Sequence, residues 1–138
     1  MGDTVKNDPL QDLVSDNTED IDRAQLAGLL KMYVAFSKDG ELTFLPAFYK
    51  LDNTSKILVI LTAQKARHLL FGETHTSEAL SSADIISLDV MAEGSVKSTV
   101  KRLLEKTYDI KKNADKKYYI PNYQLSSLQQ KISPEDEQ

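Results

Sequence analysis

The sequence predicts an α+β fold that is mainly helical, and three observations point to it. Apolar residues recur at intervals of three and four over several stretches, the longest being KILVILTAQKARHLLF. Only one short β-tolerant run, Glu41 to Phe44, interrupts the first half of the chain. Late in the chain, two β-tolerant segments flank an Asn/Asp-rich turn, the pattern of a hairpin.

Taken in order, residues 1–20 are acidic, polar and without periodicity, and read as a disordered, solvated tail. Residues 21–54 form an N-terminal helix and short strand. Leu26, Leu29, Leu30, Tyr33 and Val34 mark one face of a helix from Asp22 to Phe36, stopped by Lys38-Asp39-Gly40. Gly28 within that helix suggests a close helix contact at the expense of about 1 kcal/mol of propensity. The strand Glu41 to Phe44 ends before Pro46. Asn53-Thr54-Ser55 supplies caps for the long helix, which Gly72 closes.

A loop, GETHTSEALSS, leads to a short helix from Ala83 to about Leu88, with Ile85 and Ile86 on its buried side. After a break at Ala92-Glu93-Gly94, Ser95 caps a third helix, VKSTVKRLLEK. Its stripe is Val96, Val100, Leu103 and Leu104. The hairpin spans Tyr108 to Ile120, and alternation along it turns tyrosines toward the core. Residues 125–138 hold a short helix, Leu125 to Ile132, and an acidic tail.

Length and composition limit the function classes. A chain of 138 residues allows one core, perhaps with an appendage. No apolar run reaches the roughly 18 residues of a membrane span, and the acidic start lacks the features of a secretory signal, so a cytoplasmic or nucleoid location is expected. Zero cysteines exclude disulfides, thiolate metal sites and a cysteine nucleophile. The net charge of −4 is unevenly spread. Residues 1–24 carry seven acids against two bases, a net −5, whereas residues 95–120 carry eight bases against three acids, a net +5. Salt screens exposed charges beyond about 8 Å, so the local basic field can hold phosphates whatever the total charge.

The order of long helix, short helix, tight break, basic helix and basic hairpin resembles the winged helix-turn-helix family over residues 55–124. SSADIISLDVMAEGSVKSTVKRLLEK is similar to its helix-turn-helix and YDIKKNADKKYYIP to its wing. The resemblance implies a three-helix core plus a β-hairpin wing, with the third helix in the major groove and the wing on the backbone. It implies contacts to double-stranded DNA from Ser95, Lys97, Ser98, Thr99, Lys101, Arg102 and Lys106 on the helix. On the wing it implies Lys111, Lys112, Asn113, Lys116 and Lys117. Arg102 is the residue best able to fork onto a guanine edge. The turn Asp89 to Gly94 departs from the family's compact glycine-centred turn, and residues before Ser55 have no counterpart in the minimal motif.

Plainer readings stand beside these. A basic amphipathic helix alone is ordinarily a solvated surface helix; the lysine-flanked hairpin directly after it tips the balance to nucleic acid. His68 and His75 lack a thiolate partner and read as surface histidines, so no metal is expected. The tyrosines read as core before they read as base-stacking platforms. Phosphate-loop, HExxH and nucleophile-elbow motifs are absent, and neither an enzyme nor a cofactor is expected. The expectation is a small transcriptional regulator acting as a homodimer, with the helix from Asp22 to Phe36 either as its dimer contact or packed on its own domain, and with the acidic tail competing for the basic face. The alternative is a winged-helix protein-interaction or assembly module that does not bind DNA.

Overall fold

The computed structural model of the protein describes residues 22–132 and Leu10. The expected acidic tails therefore lie, Leu10 apart, outside the described residues. Within them the fold is mixed α/β, with five α-helices and two antiparallel hairpins. None of the helices is long and apolar enough to cross a membrane.

The central element is the helix α2, Asn53–Leu70. Asp52 caps it, its Oδ1 accepting from the Ser55 N–H at 2.7 Å, one residue upstream of the expected caps. Ile57, Leu58, Val59, Ile60, Leu61 and Ala63 are fully buried, so the helix is covered on every side and the rest of the chain is arranged around it. Each such aliphatic side chain contributes about 1.5–3 kcal/mol on burial.

Helix α1, Arg23–Leu30, lays Leu26, Leu29 and Leu30 on α2 and on the last helix, α5, Leu125–Lys131. The helix expected to reach Phe36 stops at Leu30. Val34–Phe36 is instead strand β1, paired with β2, Leu42–Phe44, in the register Val34 to Phe44. The cause is local: β-branched and aromatic residues favour the strand, and Asp39-Gly40 forms a hairpin turn with Gly40 at φ +86° rather than a helix stop. Gly28 is exposed and a Cβ there would meet nothing, so it makes no close helix contact within this chain. A 3₁₀ turn, Pro46–Lys50, that the sequence did not announce buries Phe48 and stacks it on Phe44 with centroids 4.2 Å apart.

Helix α3, Ser82–Ile86, opens on a reciprocal capping box between Ser81 and Asp84 and buries Ile85. Helix α4 spans Glu93–Glu105. It begins two residues before the expected cap: Ala92 is the N-cap, its carbonyl accepts from the Val96 N–H, and Ser95 lies inside the first turn. Glycine is tolerated there because the first-turn N–H groups have no partner within the helix, and Glu93 complements the positive end of the helix. The buried stripe is Val96, Thr99, Val100 and Leu103, with Leu104 only half-buried, so α4 is rotated slightly from the expected face.

Strands β3, Lys111–Lys112, and β4, Tyr118–Tyr119, form the second hairpin. Leu80, in the loop between α2 and α3, forms a further antiparallel bridge to Tyr118, with its N–H donating to the Tyr118 carbonyl at 2.9 Å. The loop before α3 and the hairpin after α4 are thus joined side by side. At the hairpin's foot, Asp109 is buried; its carboxylate pairs with Lys131 of α5 and accepts from the Thr107 hydroxyl at 2.7 Å.

Candidate nucleic-acid interface

Helix α4 packs on α2 and α3 through its buried stripe, which fixes what it presents outward. Lys97, Ser98, Lys101, Arg102 and Lys106 are exposed and Ser95 is half-buried. Thr99 is a correction: at 3% exposure it belongs to the core and cannot reach a partner from there. Lys97, Lys101 and Glu105, four residues apart, form one ridge along the helix.

On one side of that ridge lies a cleft of about 320 Å³ between α4 and the hairpin, where Lys97, Lys101 and Lys112 converge with Ser82, Leu104 and Tyr118. On the other side Ser98, Lys101, Arg102, Glu105 and Lys106 line a second hollow of about 370 Å³. Lys97 has a loose partner in Glu93 at 3.7 Å, an exposed i,i+4 pair that is worth only a few tenths of a kcal/mol and that a phosphate can replace. Lys101 has no ion-pair partner among the described residues. Arg102 turns away from the hairpin and donates to the Thr54 hydroxyl at the start of α2. It is exposed, and reaching a base edge would require it to leave that contact.

The hairpin is held by its own turn. The Asn113 Oδ1 accepts from the Asp115 N–H at 2.9 Å and from the Lys117 N–H at 3.0 Å, and Lys116 takes the left-handed conformation, φ +61°, that a glycine would supply more cheaply. Asn113 therefore serves first as a turn residue, with only its Nδ2 left to donate outward. Lys111, Lys112 and Lys116 are exposed. Lys112 lies over the Tyr118 ring at 5.7 Å and Lys111 over the Tyr123 ring at 5.4 Å, cation–π contacts that help direct both side chains. Lys117 is half-buried and turns into a different cleft, beside Arg67 and His75.

The tyrosines divide. Tyr118 packs against the core and Tyr119 is half-buried, but Tyr108 and Tyr123 are 67% and 50% exposed, so the expectation that these residues face the core fails for that pair. Tyr108 sits at φ +57°, in the sharp turn that follows α4, which throws its ring outward. The Nδ1 of His68 bonds the His75 carbonyl at 2.8 Å, and the described residues contain no group of three ligating side chains.

One feature the sequence reading passed over is polar and buried. Lys65, 1% exposed in the middle of α2, donates to Glu78 and to the Asn122 Oδ1. Glu78 lies two residues before Leu80 and Asn122 two residues after Ile120, so one ammonium ties the Leu80 bridge and the end of β4 to the central helix. Burial pulls the Lys65 pKa below the ordinary lysine value, and Glu78 opposes that shift. A charged residue within an otherwise apolar helical run, at a depth where lysines are rarely found unpaired, was the available signal.

No protein-family model, curated protein or solved structure matches the chain.

Proposed function

We propose that the chain is a winged helix-turn-helix protein that binds double-stranded DNA, placing α4 in the major groove and the β3–β4 hairpin on the adjacent backbone. The observation that carries this reading is the convergence of Lys97 and Lys101 of α4 with Lys112 of the hairpin on one cleft. Two elements that are separate in sequence bring three ammonium groups to a cleft that holds one carboxylate, Glu105, and the excess of positive charge favours an anion there. The Leu80 to Tyr118 bridge supports the same reading, since it docks the hairpin beside the helix pair as a wing would need to be docked. Lys97, Lys101, Lys106, Lys111, Lys112 and Lys116 are the phosphate contacts of the proposal, with Ser98 as a hydroxyl donor. Six such contacts give a slope of log K against log salt of about −5, or roughly a thousandfold loss of affinity between 50 and 200 mM salt.

The protein acts as a homodimer in this reading, because one reading helix covers only a few base pairs and paired half-sites supply specificity. Support comes from the α1 end. With Leu26, Leu29 and Leu30 spent on its own domain, α1 leaves Ala24, Ala27 and Gly28 exposed beside an apolar groove of about 380 Å³ between α1, β1 and the end of α2. That groove also favours the second reading, an assembly module that docks another protein there and leaves DNA alone.

Titration of a random duplex at two salt concentrations, with wild type and with Lys101→Ala/Arg102→Ala, separates the two. The expected result is tight low-salt binding that the double substitution weakens. No binding at low salt, or binding indifferent to the substitution, overturns the DNA reading for this surface. A sedimentation mass of one chain at micromolar concentration overturns the dimer.

A further inference from the structure

On the far side of the Leu80 to Tyr118 bridge from the α4 cleft lies a separate, half-open cavity of about 330 Å³, lined by α2, the loop before α3, the end of α3, β2 and the foot of the hairpin. Its floor is apolar, from Leu42, Ile60, Ala79, Leu80 and Leu88. Its walls carry Arg67, His75 and Lys117, drawn from three different elements. The volume falls within the range of small-ligand sites, and the lining is more polar than apolar, which suits a charged, hydrogen-bonding ligand.

The walls are built in advance. The Arg67 Nε donates to the Gly40 carbonyl at 2.7 Å, which sets the plane of the guanidinium, and no acceptor among the described residues takes its terminal nitrogens. One turn earlier, the Gln64 Nε2 donates to the Ser77 carbonyl at 2.8 Å; one residue later, His68 bonds the His75 carbonyl. Gln64, Arg67 and His68 share a face of α2, and two of them hold the loop that carries His75 while the third points a charge into the space it encloses. His75 has no hydrogen bond to its ring nitrogens, nor Lys117 to its ammonium, among the described residues. Of the carboxylates nearby, Asp84 stands in the lining, one of its oxygens accepting from the Ser81 N–H at 2.9 Å in the capping box, and Glu41 lies against Arg67 outside the lining; the three basic side chains outnumber them.

We propose that this cavity is an effector site for a small organic anion, whose carboxylate or phosphate head is held by Arg67, His75 and Lys117 and whose body rests on the apolar floor. Desolvation, and then the Arg67 charge, hold the His75 pKa below the ordinary histidine value in the empty site. A bound anion reverses that balance and pushes it up. Anion binding is therefore coupled to protonation of His75, which is faced by Arg67 and Lys117, by the carboxylates Asp84 and Glu41, and by His68, bonded to the His75 carbonyl.

Occupancy reaches the proposed DNA surface by contact. Lys117 is the residue before Tyr118, the strand residue paired with Leu80, and Ser87 and Leu88, also in the lining, close α3 beneath α4. This coupling rests on the DNA-binding reading; the anion site itself does not.

The test is a nuclear magnetic resonance titration of the His75 ring in the full chain, with inorganic phosphate and with succinate as probes and sodium chloride as the ionic-strength control. The expected result is a saturable shift with a raised His75 pKa for at least one probe, and the probe that acts identifies the head group. Lys117→Gln, which leaves the Arg67 to Gly40 bond intact, should weaken that probe roughly tenfold or more, the value of one charge-assisted hydrogen bond. Arg67→Gln should weaken it further. A response no different from chloride with both probes, or one unchanged by Lys117→Gln, overturns the site. In a parallel DNA titration, saturable anion binding with no DNA binding overturns the proposed function and leaves the site standing. DNA binding that ignores a saturating probe overturns the coupling alone.

Discussion

Glu78→Ala is the substitution whose effect the structure fixes most tightly. It removes the anion facing Lys65 but leaves a lysine that is 1% exposed, with the Asn122 Oδ1 still accepting from it. Removing one partner of a buried pair typically costs about 3–5 kcal/mol, because the other charge stays desolvated. The Glu78 side chain is 20% exposed, so water can enter the space it vacates, which places the expectation at the low end, about 3 kcal/mol. Lys65→Met removes the buried charge itself and keeps the shape, so its cost should be smaller, about 1 kcal/mol. Urea unfolding of both variants, followed by circular dichroism, gives the order directly. The pH dependence adds a sign. A folded-state lysine pKa below the unfolded value means the unfolded chain binds more protons between the two, so stability rises with pH through that window. Glu78→Ala lowers the folded value further, and its deficit should shrink as pH climbs toward 10.5. If Lys65→Met is the costlier change, or if the Glu78→Ala deficit is flat with alkaline pH, desolvation is not the dominant effect at this lysine and the reasoning fails.

Other expectations are more local. Gly40→Ala should destabilise by about 1–3 kcal/mol in thermal melts, since φ is +86° and a Cβ would lie 2.9 Å from the Phe71 ring; an unchanged melting temperature would mean the β1–β2 turn relaxes freely. Lys101→Ala/Lys112→Ala should lower the salt slope of DNA binding by about 2, measured by fluorescence anisotropy, whereas a slope left intact would place neither lysine on phosphate. Deleting residues 1–20, which hold most of the acidic excess, should tighten low-salt binding to random duplex; no change would remove the idea that they compete for the basic face.

Much of the fold is legible in the sequence because periodicity reports local structure well. The stripe from Ile57 to Leu70, the Ile85 turn and the stripe from Val96 predict α2, α3 and α4 to within a few residues, and the lysine-flanked Asn/Asp turn predicts the second hairpin. The errors share a cause. Leu26 to Val34 fits a helical stripe, but the β pairing of Val34–Phe36 with Leu42–Phe44 is a contact between segments, and a pattern read along one segment does not contain it. Thr99 is a polar residue that substitutes for Leu104 in the buried stripe, which no scale of side-chain polarity would choose. The basic surface of α4 follows from exposed charge and could be read directly. The anion cavity could not, because Arg67, His75 and Lys117 converge only once the loop before α3 is laid beside the hairpin.

The two ion pairs of the interior have one geometric role in common, and it leads to a last prediction. Lys65 holds the sheet edge at Glu78 and Asn122, and Lys131 of α5 holds Asp109 at the other foot of the hairpin. The stretch from Ile110 to Ile120 runs between these anchors, held also by its buried ends and by the Leu80 to Tyr118 bridge, and it carries four of the lysines that the sequence assigns to DNA. In the proposed DNA-binding reading, a hairpin fixed at both feet presents its charges at a set distance from α4, which reduces the ordering cost of binding. Lys131→Ala should then lower DNA affinity although Lys131 is remote from the α4 cleft and absent from its lining. It should do so without changing the salt slope, because a pre-ordering contact contributes no counterion release. Anisotropy titrations at three salt concentrations distinguish the outcomes. Parallel lines, with the variant displaced to weaker binding, support the anchoring role. A slope reduced by about one makes Lys131 a phosphate contact in its own right, and coincident lines mean that the hairpin is held without it.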